Sequence, residues 1–369
     1  MKVAIVHDWF ISPGGSEKVV QKLILLFPEA DIYSLINVFS KENNKQFLNG
    51  KKVKTSFLQK IPCIKKCYRF LFPLFPFAIQ TFNLSSYDLV ISSSHSFSKG
   101  VKIKKGQMHI CYIHTPVRYA WDLQKQYIQQ TPTWFLKKIF GLMMKKLRKW
   151  DLKTNETVNY FIANSNYVAE RVKNNYKRDS KVIYPPVNTN FFSKSITAKR
   201  IEQSSYFVVI SRHVLYKRID LIIKAFNLRP DLKLLIIGTG PKTKYLKSIA
   251  GKNITFLGYK TDDEVKNYLT FSRAAIFSAY EDFGISPVEV QACGTPVIAL
   301  GQGGYLETVI DRKTGIFYKD QTSKSLLEGI DKFIELEKNF DKTEIVKNSE
   351  KFSVEQFNSQ IKQFINDKI

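Results

Sequence analysis

Along the chain, short runs rich in Val, Ile and Phe alternate with stretches whose apolar residues recur at helical spacing. Apolar runs bounded by turn residues read as strands buried on both faces, and the helical stretches between them as the crossovers of parallel sheets. The first half of the chain predicts strands at Val3–His7, Asp88–Ser92, His109–Ile113, Tyr160–Asn164 and Lys181–Tyr184, with a helix over Ser16–Phe27 directly after the first. The second half predicts strands at Tyr206–Ser211, Leu232–Ile237, Thr255–Leu257, Ala274–Ser278 and Pro296–Leu300, and helices near Arg218–Asn227, Asp262–Phe271 and Pro287–Cys293. The polar stretch Asn188–Ser205 carries no apolar period and reads as an interdomain linker. The expected fold class is α/β, with two Rossmann-like domains facing a central cleft, over residues 1–190 and 191–350. In the last segment Phe357, Ile361, Phe364 and Ile365 repeat at helical spacing, so residues 351–369 are expected to cross back and join the first domain.

Length and composition agree with this division. A chain of 369 residues with 44% hydrophobic and 24% charged residues holds two ordinary cores and is neither disordered nor a disulfide scaffold. Four cysteines, Cys63, Cys67, Cys111 and Cys293, are too irregularly spaced for a disulfide framework or a four-ligand zinc site, which fits a reducing cytoplasm. The opening run ends after six positions without a cleavage pattern and reads as a strand. No window has the roughly 18 uninterrupted apolar residues of a spanning helix, so a soluble or peripheral protein is expected. Charge changes the picture more: 57 basic against 32 acidic side chains give +25, a surface attractive to phosphates, anionic lipid or nucleic acid.

Several motifs then fall at strand ends. Gly14 and Gly15 lie between the first strand and its helix, where free amides and the helix dipole can meet an anion, although a tight turn capped by Ser16 explains the same residues. Arg212 ends a strand and Lys217 precedes the next helix, a placement that can grip a diphosphate and equally fits a solvated basic loop. Glu281 and Glu289 stand eight positions apart across a strand-to-helix turn. Ser286 with Glu289 has the form of a capping box, and Pro287 suits a first helical position, so Glu289 has a structural reading. Glu281 has none as simple, and a carboxylate there suits a sugar hydroxyl. Gly238, Gly240 and the Gly301, Gly303, Gly304 cluster allow close approach of backbone to a ligand, but no dinucleotide fingerprint is complete. His114 follows a strand and precedes Pro116, as a loop residue or as a group touching the reacting atoms. There is no Asp-x-Asp pair, metal-binding His-Glu-x-x-His, P-loop or Gly-x-Ser-x-Gly elbow, so no metal and no cofactor are expected.

Taken in order, these motifs resemble the retaining GT-B glycosyltransferases of family 4 over nearly the whole chain. The resemblance implies that Arg212 and Lys217 hold the donor diphosphate, that Gly15 belongs to the phosphate loop of the first domain, and that Glu281 lies by the donor sugar while Glu289 reaches the ribose. With them, Gly14, Gly238, Phe283, Gly284, Ile285 and Ser286 are expected on the donor side, and His114 near the reacting bond, so that His114, Glu281, Arg212 and Lys217 form the catalytic set. Ser92-Ser-Ser-His95, Lys99-Gly100, His114 to Asp122, Ile162-Ala-Asn-Ser165 and Tyr184-Pro-Pro-Val187 are similar to bacterial O-antigen mannosyltransferases, while Asn188 departs from the aspartate usual after that last motif. This finer likeness implies GDP-mannose as donor and a lipid-linked glycan as acceptor, with Lys99, Arg118 and Asp122 on the acceptor side. The segment Thr133–Trp150 mixes apolar residues with six cations, the composition of an interfacial helix on an anionic membrane, or of a helix packed in the first core. Two further readings stay open: a GT-B-like nucleotide-sugar epimerase, and a basic nucleic-acid-binding protein, the second weakened because no recognition motif accompanies the charge.

Overall fold

In the computed structural model, which describes residues 1–118, 120–121, 128, 133–193 and 205–368, the chain forms two compact units. The first comprises Met1–Pro185 with Asn358–Ile369, and the second comprises Pro186–Phe357. Each is built on one parallel sheet.

The first unit contains β1 (Val3–His7), β2 (Asp31–Ser34), β3 (Val53–Thr55), β4 (Leu89–Ser94), β5 (Met108–Ile113), β6 (Tyr160–Ala163) and β7 (Ser180–Val182), in the order β3-β2-β1-β4-β5-β6-β7. All residues of β1 and β4 are buried, because the central strands of a parallel sheet are covered on both faces by crossover helices. Helix Gly15–Leu26 supplies such a cover through Val19, Val20, Leu23 and Ile24. Helix Asn166–Tyr176 is capped by Ser165, whose side chain accepts from the Val168 amide, and buries Val168 and Val172 against β6.

The second unit contains β8 (Tyr206–Ile210), β9 (Lys233–Ile237), β10 (Ile254–Gly258), β11 (Ala275–Phe277), β12 (Val297–Leu300) and β13 (Gly315–Tyr318), in the order β10-β9-β8-β11-β12-β13. Helix Ile219–Asn227 buries six of its nine residues, Ile222, Ile223 and Phe226 among them, and a capping box of Thr261 with Glu264 starts helix Asp262–Thr270.

In both sheets the chain first winds outward to one side and then returns to the other side of the starting strand. The reversal falls between β1 and β4 in the first unit and between β8 and β11 in the second. These are the topological switch points beside which parallel sheets bind ligands, at the carboxyl ends of the strands.

The C-terminal helix, Val354–Asn366, begins in the second unit, and its part from Asn358 onward belongs to the first. Phe357, Ile361 and Ile365 are buried, and the Phe364 ring meets Tyr160 of β6 edge-on. Within the stretch expected as linker, Thr189–Ser193 is helical, and residues 194–204 lie outside the described residues. Among the described residues no helix is long and apolar enough to cross a membrane.

Candidate active site

At the first switch point, the parallel register sets His7 of β1 directly beside Ser93 of β4. The next residue, Asp8, is fully buried, and its carboxylate sits in a nest of four amides. His95 and Ser96 donate to Oδ2 at 2.7 and 3.0 Å, and Phe97 and Ser98 to Oδ1 at 2.5 and 2.7 Å. One carboxylate thus fixes the turn that leaves β4, through charge-assisted hydrogen bonds. The same Oδ2 lies 3.1 Å from Nδ1 of His95.

Ser93 links two histidines. Its hydroxyl lies 2.8 Å from Nε2 of His114, and Nδ1 of His7 lies 3.1 Å from the Ser93 carbonyl and 3.2 Å from the hydroxyl. On the far side of His7, Nε2 stands 3.5 Å from the carboxylate of buried Glu17, in the first turn of helix Gly15–Leu26. Burial raises the pKa of Glu17, but the hydrogen bond and charge of His7, with the His95 charge, leave it below the ordinary value. His114 is held well below the usual histidine range, by burial first and then by His95 and His7, so its ring is neutral at pH 7. His95 is also lowered, chiefly by burial.

The remaining residues expected in this unit divide. Gly14 and Gly15 are exposed at the start of their helix. Gly14 has ordinary extended backbone, and a Cβ there would press on Oε2 of Glu17 at 2.9 Å. Lys99, expected on the acceptor side, is instead buried, with 1% exposure. Its ammonium donates to the Asp151 carbonyl and the Thr154 hydroxyl, each at 2.6 Å, and pairs with the Asp151 carboxylate at 2.9 Å. Two hydrogen bonds and an ion pair thus commit the buried ammonium to groups of the protein itself. Arg118 is half-buried, and Asp122 lies outside the described residues.

At the second switch point, Lys217 follows β8 and Glu281 follows β11, and the ammonium donates directly to the Glu281 carboxylate. Both side chains stay partly open, at 25% and 20% exposure. Arg212 is exposed just after β8. The glycines expected to let a ligand approach are occupied by protein. A Cβ on Gly238, at φ 122°, would lie 2.0 Å from the Ser211 carbonyl oxygen, and one on Gly303, at φ 66°, would lie 2.5 Å from that of Glu281. Both glycines therefore dock one strand-end loop on another, carrying Arg212 and Glu281 on backbone that cannot shift freely.

The expected capping box is absent. Helix Ile285–Ala292 starts at Gly284, in left-handed conformation at φ 90°, with no side-chain cap, so Ser286 and Pro287 sit inside its first turn. Glu289 is half-buried within that helix, as Ile285 and Ser286 are at its start, and Phe283 is buried against Phe352. Sequence reasoning placed Lys217 with Arg212 and Glu281 with Glu289, and in the structure Lys217 pairs with Glu281. It missed Asp8, His7, Glu17 and Ser93 as a connected set, although polar residues closing two apolar strands were the available signal.

Residues 13–191 match the family model Glycosyltransferase Family 4, and residues 192–368 match Glycosyl transferases group 1. The chain is thus a GT-B glycosyltransferase of family 4 type by domain make-up, and its two parallel-sheet units agree with that fold. It is 26% identical to alpha-1,3/1,6-mannosyltransferase ALG2 of Dictyostelium discoideum over 47% of this chain and 52% of that one. It is 35% identical to a GDP-mannose-dependent monoacylated alpha-(1-6)-phosphatidylinositol monomannoside mannosyltransferase of Corynebacterium glutamicum, over 37% of this chain and 42% of that one. The match therefore spans about half the length of these relatives. Among solved structures, Anabaena Alr3699/HepE in complex with UDP superposes with a TM-score of 0.73 at 18% identity, over 100% of both chains.

Proposed function

We propose that this protein is a retaining hexosyltransferase that moves mannose from GDP-mannose to a lipid-linked saccharide acceptor in cell-surface polysaccharide or lipopolysaccharide synthesis, at the cytoplasmic face of the membrane. The observation that carries the reading is the pairing of Lys217 with Glu281 at the second switch point, in a chain that matches both glycosyltransferase models in order. Mannosyl transfer is favoured by the relatives named for it.

In this reading Arg212 and Lys217 meet the charge that builds on the leaving diphosphate, assisted by the amides of Gly14 and Gly15, without a bound cation. Glu281 accepts from a donor-sugar hydroxyl, Glu289 binds the ribose, and His114 contacts the transferred sugar. The acceptor hydroxyl attacks on the face the diphosphate leaves, which preserves the anomeric configuration. Helix Trp134–Lys153 supplies the membrane contact: Trp134, Phe135, Leu136, Ile139 and Leu142 are exposed on it among lysines, while Met144 and Leu147 anchor it in the first unit. Each cation near an anionic surface adds about 1 kcal/mol.

A thermal-shift screen of nucleotide sugars, followed by transfer of labelled sugar to lipid extract with and without chelator, tests this. GDP-mannose should give the largest shift, since a tightly held ligand stabilises by mass action, and transfer should survive the chelator. Stabilisation by UDP-sugars alone would overturn the donor, loss of transfer on chelation would overturn the cation-free mechanism, and turnover of the donor to an epimer without acceptor would replace transfer by epimerisation.

A further inference from the structure

Glu17, His7, Ser93 and His114 form one hydrogen-bonded and ion-paired line at the first switch point, and only its last member has a role in the reading above. We propose that Ser93, oriented by His7 and Glu17, locks His114 in the tautomer protonated at Nδ1, so that His114 meets the transferred sugar as a hydrogen-bond donor and takes no proton from the acceptor. The proposal rests on the glycosyl-transfer reading for its consequence, and on the geometry of the first unit for its premise.

The direction of the line is fixed by one oxygen. The Ser93 carbonyl, 3.1 Å from Nδ1 of His7, can only accept, so that nitrogen carries a hydrogen. The opposite tautomer would turn a nitrogen lone pair toward a carbonyl lone pair. The Ser93 hydroxyl oxygen, 3.2 Å from the same nitrogen, shares that donor, which leaves its own hydrogen for Nε2 of His114 at 2.8 Å. A ring that accepts at Nε2 and is neutral has its proton on Nδ1. Glu17 faces Nε2 of His7 at 3.5 Å, on the opposite edge of the ring from Ser93, and so holds the ring with Nδ1 toward Ser93.

Around His114 the facing groups are the rings of Tyr112 and His95, at 5.1 and 6.4 Å between centroids, and no carboxylate contacts it among the described residues. Among the described residues no carboxylate is placed to stabilise an imidazolium there. That matters for sugar transfer, whose transition state carries positive charge on the sugar ring. A neutral donor can orient a sugar hydroxyl without adding like charge beside the reacting carbon, whereas a ring whose Nε2 is already occupied by Ser93 has no lone pair left to act as a base.

Long-range proton–nitrogen NMR on the full chain labelled at its five histidines reads the tautomer directly. The His114 resonances, assigned by their loss in His114→Asn, should show the proton on Nδ1. In Ser93→Ala the ring should become a mixture of tautomers, and kcat should fall about tenfold, the worth of one hydrogen bond, with KM little changed. Ser93→Thr, which keeps the hydroxyl, should restore both. A wild-type ring protonated at Nε2 overturns the proposal without any variant, and so does a folded Ser93→Ala protein whose His114 spectrum or kcat is unchanged. The spectrum needs no turnover, so a protein that transfers no sugar would sink the functional reading while leaving the tautomer legible.

Discussion

The two switch points are topologically equivalent and chemically opposite. Beside β1 and β4 the polar groups are dry: Asp8 is fully buried in its amide nest, Glu17 and His7 pair out of solvent, and every contact of Ser93 is to another fixed group. Beside β8 and β11 the charges stand in partial contact with water, and Lys217 and Glu281 satisfy each other. A buried network strongly resists rearrangement, because each group left unpaired in a low-dielectric interior is costly. A half-exposed ion pair holds little free energy and can be traded for a ligand's charge. On the proposed function, the contrast suits one site that presents a preset hydrogen-bond pattern and another that binds and releases a diphosphate.

The largest effect should come from Asp8→Ala. It strands the amides of His95, Ser96, Phe97 and Ser98, each at a cost of about 1–3 kcal/mol, together comparable with the whole stability of a domain. The expected result is an unfolded first unit, read by tryptophan fluorescence, since Trp9, Trp121, Trp134 and Trp150 all lie there. A native-like midpoint would mean that the nest is not what holds the turn. By contrast, Lys217→Ala should leave both units folded and lower turnover by about 10²–10³, with weaker nucleotide binding. If it unfolded the second unit, Lys217 would belong to the frame and the comparison between the switch points would collapse.

The same contrast governs what the sequence made legible. Central strands such as β1, β8 and β12 announce themselves because burial on both faces demands continuous apolar residues. The missed strands do not: β3 is only Val53-Lys54-Thr55, β2 opens on Asp31, and β13 opens on Gly315. Lys217 and Glu281 were visible as charges in the turns between a strand and the following helix, a local pattern. The buried set was not, since His7 and Ser93 are 86 residues apart and become neighbours only through strand pairing. Lys99 shows the opposite error, a cation taken for a surface group when Asp151, 52 residues on, folds over it. The capping box at Ser286 failed because Gly284, at positive φ, starts the helix two residues earlier than the Ser-Pro pair suggested.

The smallest of the expected effects separates the units by acid. His109, on β5, is fully buried between the Ser92 hydroxyl and the Thr157 carbonyl, and burial lowers its pKa to about 4. His95 and His114 are lowered in the same unit, also chiefly by burial. In the unfolded chain a histidine binds its proton near pH 6.5, whereas the folded unit refuses it until about pH 4. Between those values the unfolded state holds more protons, so stability is complete above pH 6.5 and falls as the pH drops toward 4. For His109 alone the loss from pH 7 to pH 5 is about 2 kcal/mol. Urea unfolding followed by tryptophan fluorescence should therefore give a lower midpoint at pH 5, and His109→Asn should flatten the dependence even while lowering stability at pH 7. The second unit contains a single histidine, His213, which burial also lowers but which is bonded through Nδ1 to Thr243. It should lose less on acidification. A first unit equally stable at both pH values would mean that its histidines take up protons in place, and the dry character that distinguishes the first switch point from the second would be lost.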